Sequence, residues 1–381
     1  MMKRNLMLLL FFTCGTAMTA WSQKPLASEP FIDSYINNEM KAIGIPGIAV
    51  AVVKDGKVLH CNTYGVANIE YDIPVSLNTA FQIASVSKLF NSTLIMKWLQ
   101  QQKISMEDKV TKYIPNAPEA WNKITVGHLL AHESGVPWPA SLGGSIGIEA
   151  PEPFKVDSMD LLIEKLKSRP LKFETGSKSA YVNGDYFLLQ YIIEKIGADT
   201  YEGVLKREVL DEIGMVNSGY DLEQRDPRVL TMFPLKYKSQ NFTAGKNGPL
   251  IFKGFYAPTS YNAGGMFLSI SDAIKWAASL DSAKLIGTAM QQELVKQTPL
   301  KSGFTQLGWT TQMNNGYQVV GHSGGPGLAD VLRVPSEKLT VIVLSNFADM
   351  YPYIAGHILK HYLPDFKPQE MPKTLKRDLI R

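Results

Sequence analysis

Strand signals stand at both ends of the chain and helical signals fill the middle, and this arrangement restricts the fold more than any other feature. Ile48 to Val53 is an apolar β-branched run, Lys54-Asp55-Gly56-Lys57 is a hairpin signal, and Val58 to Tyr64 returns. Strand signals recur at 306–313, 317–321, 329–334 and 339–345, while 159–167, 185–196, 201–212 and 271–280 read as helices. Ser28 to Ile43 is an amphipathic helix with Phe31, Ile32, Tyr35, Ile36, Met40 and Ile43 on its apolar side, and a last helix runs from about Tyr351 to Tyr362. The simplest fold joins both ends in one antiparallel sheet flanked by the terminal helices. The fold class is α/β (α+β): segments 28–80 and 300–365 form the sheet lobe, and 81–299 form a mostly helical lobe. The active site belongs in the cleft between them, and the Gly/Pro-rich stretch Gly143 to Pro153 could border it. There is no internal repeat or low-complexity tract.

Residues 1–22 read as a secretory signal peptide. Lys3 and Arg4 precede an apolar run, Leu6 to Phe12, and Ala20-Trp21-Ser22 before Gln23 fits a cleavage site. Residues 23–381 are then a single exported domain, periplasmic or secreted. The run is too short for a stable membrane span. A rival reading makes Cys14 a lipoprotein cysteine, but Thr13 before it fits poorly. Without Lys3 and Arg4 the formal net charge drops from +4 to +2, with no Lys/Arg cluster for nucleic acid. Cys61 alone remains after cleavage, so no internal disulfide forms and the core holds the fold.

The chemistry starts at Ser85 and Lys88. They lie three apart at the head of a helical segment containing Leu89, Phe90, Thr93, Leu94, Met96, Trp98 and Leu99, so they share one face. A serine hydroxyl needs a base to become a nucleophile, and a buried lysine can be that base. This is the one Ser-x-x-Lys in the chain. Tyr181 and Asn183 stand two apart at a turn before a helix. Tyr181 can pass protons, and the Asn183 amide can bond both Lys88 and a substrate carbonyl. A second Tyr-x-Asn, at Tyr35 and Asn37, sits mid-helix and suits a structural role. The third element, Gly321-His322-Ser323-Gly324-Gly325, follows a strand signal, and its glycines let a substrate backbone approach.

Ser85-x-x-Lys88, Tyr181-x-Asn183 and His322-Ser323-Gly324 in this order resemble the penicillin-recognising serine hydrolases. The branch is that of class C β-lactamases, DD-carboxypeptidases, D-aminopeptidases and related esterases. The stretches Ile124 to Gly135, Ala263 to Asp272 and Val341 to Asn346 fit the same family, so the resemblance covers about residues 28–363. It implies a β-lactamase/transpeptidase-like fold and an acyl-enzyme on Ser85. Lys88 and Tyr181 would handle the proton, Asn183, His322, Ser323, Gly324 and Gly325 would bind substrate, and the N–H groups of Ser85 and Gly325 would form the oxyanion hole. Deacylation would use water near Tyr181, since the Glu-x-x-Leu-Asn loop of class A enzymes is missing. Substrates would be D-amino-acid peptides, small esters, β-lactams or peptidoglycan-type molecules, with no metal or cofactor. True β-lactamases usually carry Lys-Thr-Gly at the third motif. His322 in place of that lysine is common among the peptidase and esterase relatives, and it weakens β-lactam hydrolysis as the main activity. With an ordinary pKa near 6.5, His322 would be mostly uncharged at neutral pH, and Lys88 nearby would push it further toward neutral.

Two other readings compete. Gly321 to Gly325 also matches Gly-x-Ser-x-Gly, the nucleophile elbow of α/β-hydrolases, with Ser323 as nucleophile and Asp330, Asp349, His357 and His361 downstream. An elbow must turn directly into a helix, whereas Pro326-Gly327 and another strand-like run follow here. Gly143-Gly144-Ser145-Ile146-Gly147 matches as well, with no strand before it. The other reading is a catalytically inactive relative that binds peptidoglycan, against which the full set of catalytic residues argues. His128 and His132, four apart, could share a helical face and read as structural.

Overall fold

The computed structural model describes residues 27–137, 158–226, 229–252, 254 and 256–370. Residues 1–22 with Cys14, the stretch Gly143 to Pro153 and Ser145 lie outside the described residues.

α1 (Pro30–Ile43) opens on a proline, whose missing N–H would have no helical partner anyway. It ends at Gly44, where a φ of 76° lets the glycine N–H reach the Met40 carbonyl at 2.9 Å. β1 (Gly47–Lys54) and β2 (Lys57–Asn68) form the hairpin, with Asp55 and Gly56 in the left-handed region that a two-residue turn requires. β3 (Ile73–Pro74) pairs with β2, and β4 (Ala80–Gln82) leads toward Ser85. Next come α2 (Ser87–Gln100), α3 (Val126–Leu130), α4 (Met159–Lys167), α5 (Asn183–Gly197) and α6 (Tyr201–Leu205), the last running into a π-helical turn over Lys206–Leu210. β5 (Leu222–Asp226), β6 (Val229–Phe233), β7 (Asn241–Thr243), β8 (Leu250–Phe252) and β9 (Phe267–Ser269) precede α7 (Ile270–Asp281) and α8 (Thr288–Glu293). The chain then returns through β10 (Thr310–Asn314), β11 (Tyr317–Gly324), β12 (Ala329–Val334) and β13 (Leu339–Ser345) to α9 (Ile354–Tyr362).

Among the described residues the main sheet is antiparallel and seven-stranded, in the order β10-β11-β12-β13-β1-β2-β3. Its central seam pairs the two ends of the chain, from Ile48↔Ser345 to Lys54↔Leu339. Both faces of β1 and β13 are buried. Ala49, Ala51, Val53, Ile342 and Leu344 pack into one core with α2, α5 and α7. Ile48, Val50, Val52, Val341 and Val343 pack into another with Ile32 and Ile36 of α1 and Ile354 and Ile358 of α9. Side chains alternate along a strand, so one sheet separates two cores and a one-residue slip would exchange them. Each buried Val, Ile or Leu contributes about 1.5–3 kcal/mol, which fixes the register firmly.

α2 is buried all round from Ser87 to Trp98, although it carries several polar residues. Several of those polar atoms find partners, although Asn91 Nδ2 and Trp98 Nε1 have none among the described residues. Ser92 Oγ accepts from Trp309 Nε1 at 2.9 Å, and Thr93 Oγ1 accepts from Trp276 Nε1 at 3.0 Å. The structure departs from the periodicity at a few places. Residues 306–309 form a turn with Gly308 at φ 81°, and the strand begins at Thr310. The last helix starts at Ile354, after Pro352. The middle segment holds short strand pairs, β4 with β9, β5 with β6 and β7 with β8, which are too brief for an alternation signal.

Candidate active site

Ser85 lies in a single 3₁₀ turn, Ala84–Val86, between β4 and α2, rather than inside the α-helix itself. Ala84 before it has φ 44°, a left-handed conformation that a residue with a Cβ adopts only when its surroundings impose it. Lys88, the second residue of α2, is fully buried. Its Nζ donates to Ser85 Oγ at 3.4 Å and to the Ala263 carbonyl at 2.6 Å. Burial holds the Lys88 ammonium below the usual lysine range, although neighbouring Tyr181 pulls the other way.

Tyr181 brings its hydroxyl to Ser85, donating to Oγ at 2.9 Å. Lys88 Nζ sits 5.1 Å from the centre of the Tyr181 ring. The serine is thus approached from two sides by the two groups that the sequence selected. Asn183 opens α5 and is buried, yet its Oδ1 has no hydrogen-bond partner among the described residues. The expected bond between Asn183 and Lys88 is not formed; the Lys88 amine bonds the Ala263 carbonyl and Ser85 Oγ. No sequence signal could have named that acceptor, since every residue carries a carbonyl.

The third motif runs along β11 beside the Ser85 turn. A Cβ on Gly324 would fall 2.2 Å from the Ile83 carbonyl oxygen, so only glycine lets the strand lie this close. A Cβ on Gly325 would meet nothing within 4 Å. His322 is buried and faces Tyr181, with ring centres 5.9 Å apart. Its Nδ1 lies 2.8 Å from the Ser323 carbonyl, and its Nε2 has no partner among the described residues. Burial and then the Lys88 charge push His322 down to about 3, so it is neutral in mild acid as well; the push from Lys88 has the expected direction, and burial adds the larger part.

Ser323 does not join this group. Its side chain donates to Asp330 Oδ1 at 2.9 Å, across the β11–β12 pair and beside a cavity bordered by Tyr353 of the α9 side. Strand alternation sends His322 and Ser323 to opposite faces, so a substrate contact from the Ser323 side chain is corrected. Ser323 also lies within a strand followed by another strand, which is not the strand-to-helix elbow of an α/β-hydrolase. His128 and His132 do not share a helical face. α3 ends at Leu130, and His132 takes φ 59°. His128 caps that helix through Thr125, whereas His132 packs against Tyr181.

The family profile described as Beta-lactamase matches residues 32–356. Protein flp of Staphylococcus aureus is 24% identical over 351 residues, which are 87% of this chain and 66% of that protein. This chain therefore spans just under two thirds of that relative's length. The structure of an octameric penicillin-binding protein homologue from Pyrococcus abyssi superposes with a TM-score of 0.73 at 25% identity, over 88% of this chain and 77% of that one. A class C β-lactamase in complex with cefoxitin superposes with a TM-score of 0.66 at 20% identity, over 85% and 94%. With a family match across most of its length, and a sheet and helices in the arrangement of that fold, the chain belongs to the β-lactamase family of serine hydrolases and penicillin-binding proteins.

Proposed function

We propose that the protein is a serine hydrolase that acts through an acyl-enzyme on Ser85, on D-amino-acid peptides, small esters or β-lactams. The observation that carries this reading is the double approach to Ser85 Oγ, by Tyr181 at 2.9 Å and by buried Lys88 at 3.4 Å. Ser85 Oγ attacks the acyl carbon, and its proton passes to the neutral amine of Lys88, with Tyr181 alongside. The tetrahedral oxyanion takes hydrogen bonds from the N–H groups of Ser85 and Gly325. Its collapse expels the leaving group, which carries away the proton. Water, delivered beside Tyr181, then attacks the ester on Ser85; the acyl–Oγ bond breaks, the acid leaves, and the proton from water returns through the relay to Ser85 Oγ. The unpartnered Asn183 Oδ1 and His322 Nε2 are both acceptors, since the neutral His322 ring donates its Nδ1–H to the Ser323 carbonyl, and they suit a substrate N–H or hydroxyl.

Treatment with a serine-reactive phosphonate, followed by peptide mass mapping, is expected to label Ser85. A label on Ser323 would overturn the mechanism. A turnover panel of D-alanyl peptides, esters and β-lactams then ranks the substrates.

His322 shapes that ranking. A neutral imidazole offers at most an uncharged hydrogen bond, worth about 1 kcal/mol, against roughly 1.5–3 kcal/mol for a charged donor. Anionic β-lactams are thus expected to turn over poorly, and substrates without a free carboxylate better. Because His322 stays neutral above about pH 3, the parent shows no His322-linked rise in cephalosporin hydrolysis as pH falls from 8 to 5. His322→Lys is expected to raise kcat/KM for a cephalosporin on the order of tenfold across that range, and to do little for a neutral D-alanyl ester. Efficient cephalosporin hydrolysis by the parent, unchanged in His322→Lys, would remove this position from substrate selection.

A further inference from the structure

The residues on either side of Tyr181 are both tied to one buried histidine that the proton relay does not use. Ala180 N–H donates to the His132 carbonyl at 2.9 Å, and Val182 N–H approaches His132 Nδ1 at 3.4 Å. The left-handed backbone at His132 lets its carbonyl and its ring face the same segment. The ring centre lies 4.6 Å from that of Tyr181, and the imidazole is fully buried. Behind it, Asp185 Oδ2 sits 3.1 Å from Nδ1, and Ser134 Oγ donates to Asp185 Oδ1. Asp185 lies in the first turn of α5, two residues past Asn183, so the network ties both residues of the second motif to one frame.

Asp185 Oδ2 is the closer of the two partners of Nδ1, and the buried Nε2 has no partner among the described residues. Complete burial favours the neutral form of both groups, raising Asp185 and lowering His132, and the nearby Lys88 charge lowers His132 further. Tyr181 itself is 46% exposed, so it lacks a closed socket to fix its hydroxyl. Its ring rests on His132, on Phe304 at 6.1 Å between centres and on the Lys88 ammonium.

We infer that His132 is a positioning residue, held by Asp185, which aims the Tyr181 hydroxyl at Ser85 Oγ. The inference rests on the acyl-enzyme reading for its kinetic consequence, though not for its geometry. A misplacement of about 1 Å at a reacting group costs on the order of 10²-fold in rate. His132→Asn suits the test, because asparagine tolerates a left-handed backbone and keeps a polar atom near Nδ1 while removing the ring. His132→Leu serves as a second variant. Rates are taken per active site counted by phosphonate titration, so unfolded molecules drop out.

Both variants are expected to lower kcat for a chromogenic ester by about 10–10²-fold, with KM held within about threefold. In a Tyr181→Phe background the same changes should alter kcat by less than about threefold, because the hydroxyl they aim is gone. Asp185→Asn, which can still bond both His132 and Ser134, should recover at least about tenfold of what Asp185→Leu loses. Equal losses in both Tyr181 backgrounds, or parental kcat per titrated site, would overturn the inference. A second readout needs no turnover. Fluorotyrosine at position 181 should give one narrow ¹⁹F resonance in the parent and a shifted or broadened one in His132→Asn, and an unchanged resonance would overturn the inference. A parent without Ser85-dependent turnover but with this spectral change would refute the acyl-enzyme reading and leave the positioning role standing.

Discussion

Lys88→Ala is expected to slow acylation of Ser85 by on the order of 10³-fold, within the usual range for a general base. The amine is buried behind the serine, 3.4 Å from its oxygen, and no other basic side chain contacts that oxygen among the described residues. The pH dependence carries the same signature. Burial disfavours the ammonium, so Lys88 loses its proton at a lower pH than a free lysine. The working form is the neutral amine. Acylation by the parent should therefore rise with pH through that depressed value and then level off, and Lys88→Ala should lose this limb. Pre-steady-state kinetics with a chromogenic ester measure both features. A variant acylated at close to the parental rate would show that the proton leaves Ser85 by another route.

Tyr181→Phe should cut turnover by about 10²-fold or more, with a different kinetic appearance. The phenylalanine ring can keep the contacts with His132 and Lys88, while the donor to Ser85 Oγ is lost. If the hydroxyl also serves the water that breaks the ester, deacylation becomes the slow step and acyl-enzyme accumulates. Intact mass spectrometry during turnover should then show a stoichiometric acyl adduct that peptide mapping places on Ser85. Turnover near the parental rate, with no adduct, would contradict the relay. A slow variant that never accumulates adduct would confine Tyr181 to the first step.

How much of this was legible depends on what each feature leaves in a sequence. The sheet was legible because Ile48 to Val53 and Leu339 to Ser345 are apolar and β-branched, and α4 was legible because its apolar residues recur at helical spacing. Ser85, Lys88, Tyr181 and His322 stood out because their side chains suit the proposed chemistry and stand in a telling order, and the fold brings them together. The Ala263 carbonyl left no trace, since backbone acceptors have no residue code. Asp185 was hidden for a related reason: an acid in the first turn of a helix is ordinarily explained by the helix dipole. Ser323 was misplaced although a signal existed, because alternation along a strand already forbids it the face that His322 occupies. His132 lies about fifty residues before Tyr181, and the two meet only through folding, so nothing in the sequence connects them.

The seam between β1 and β13 also governs when the chain can become active. Pairing Lys54 with Leu339 closes about three quarters of the chain into one loop, at an entropic cost on the order of 5 kcal/mol before any contact along the seam forms. Such a non-local pairing forms slowly, and it cannot begin on a ribosome until the last strand has been made. Gly324, which lies against the backbone just before Ser85, arrives with the same late segment. Ser85 and Lys88 are translated early, yet they wait for this strand until the two ends of the chain meet. The arrangement around Ser85 is thus completed only at the close of folding.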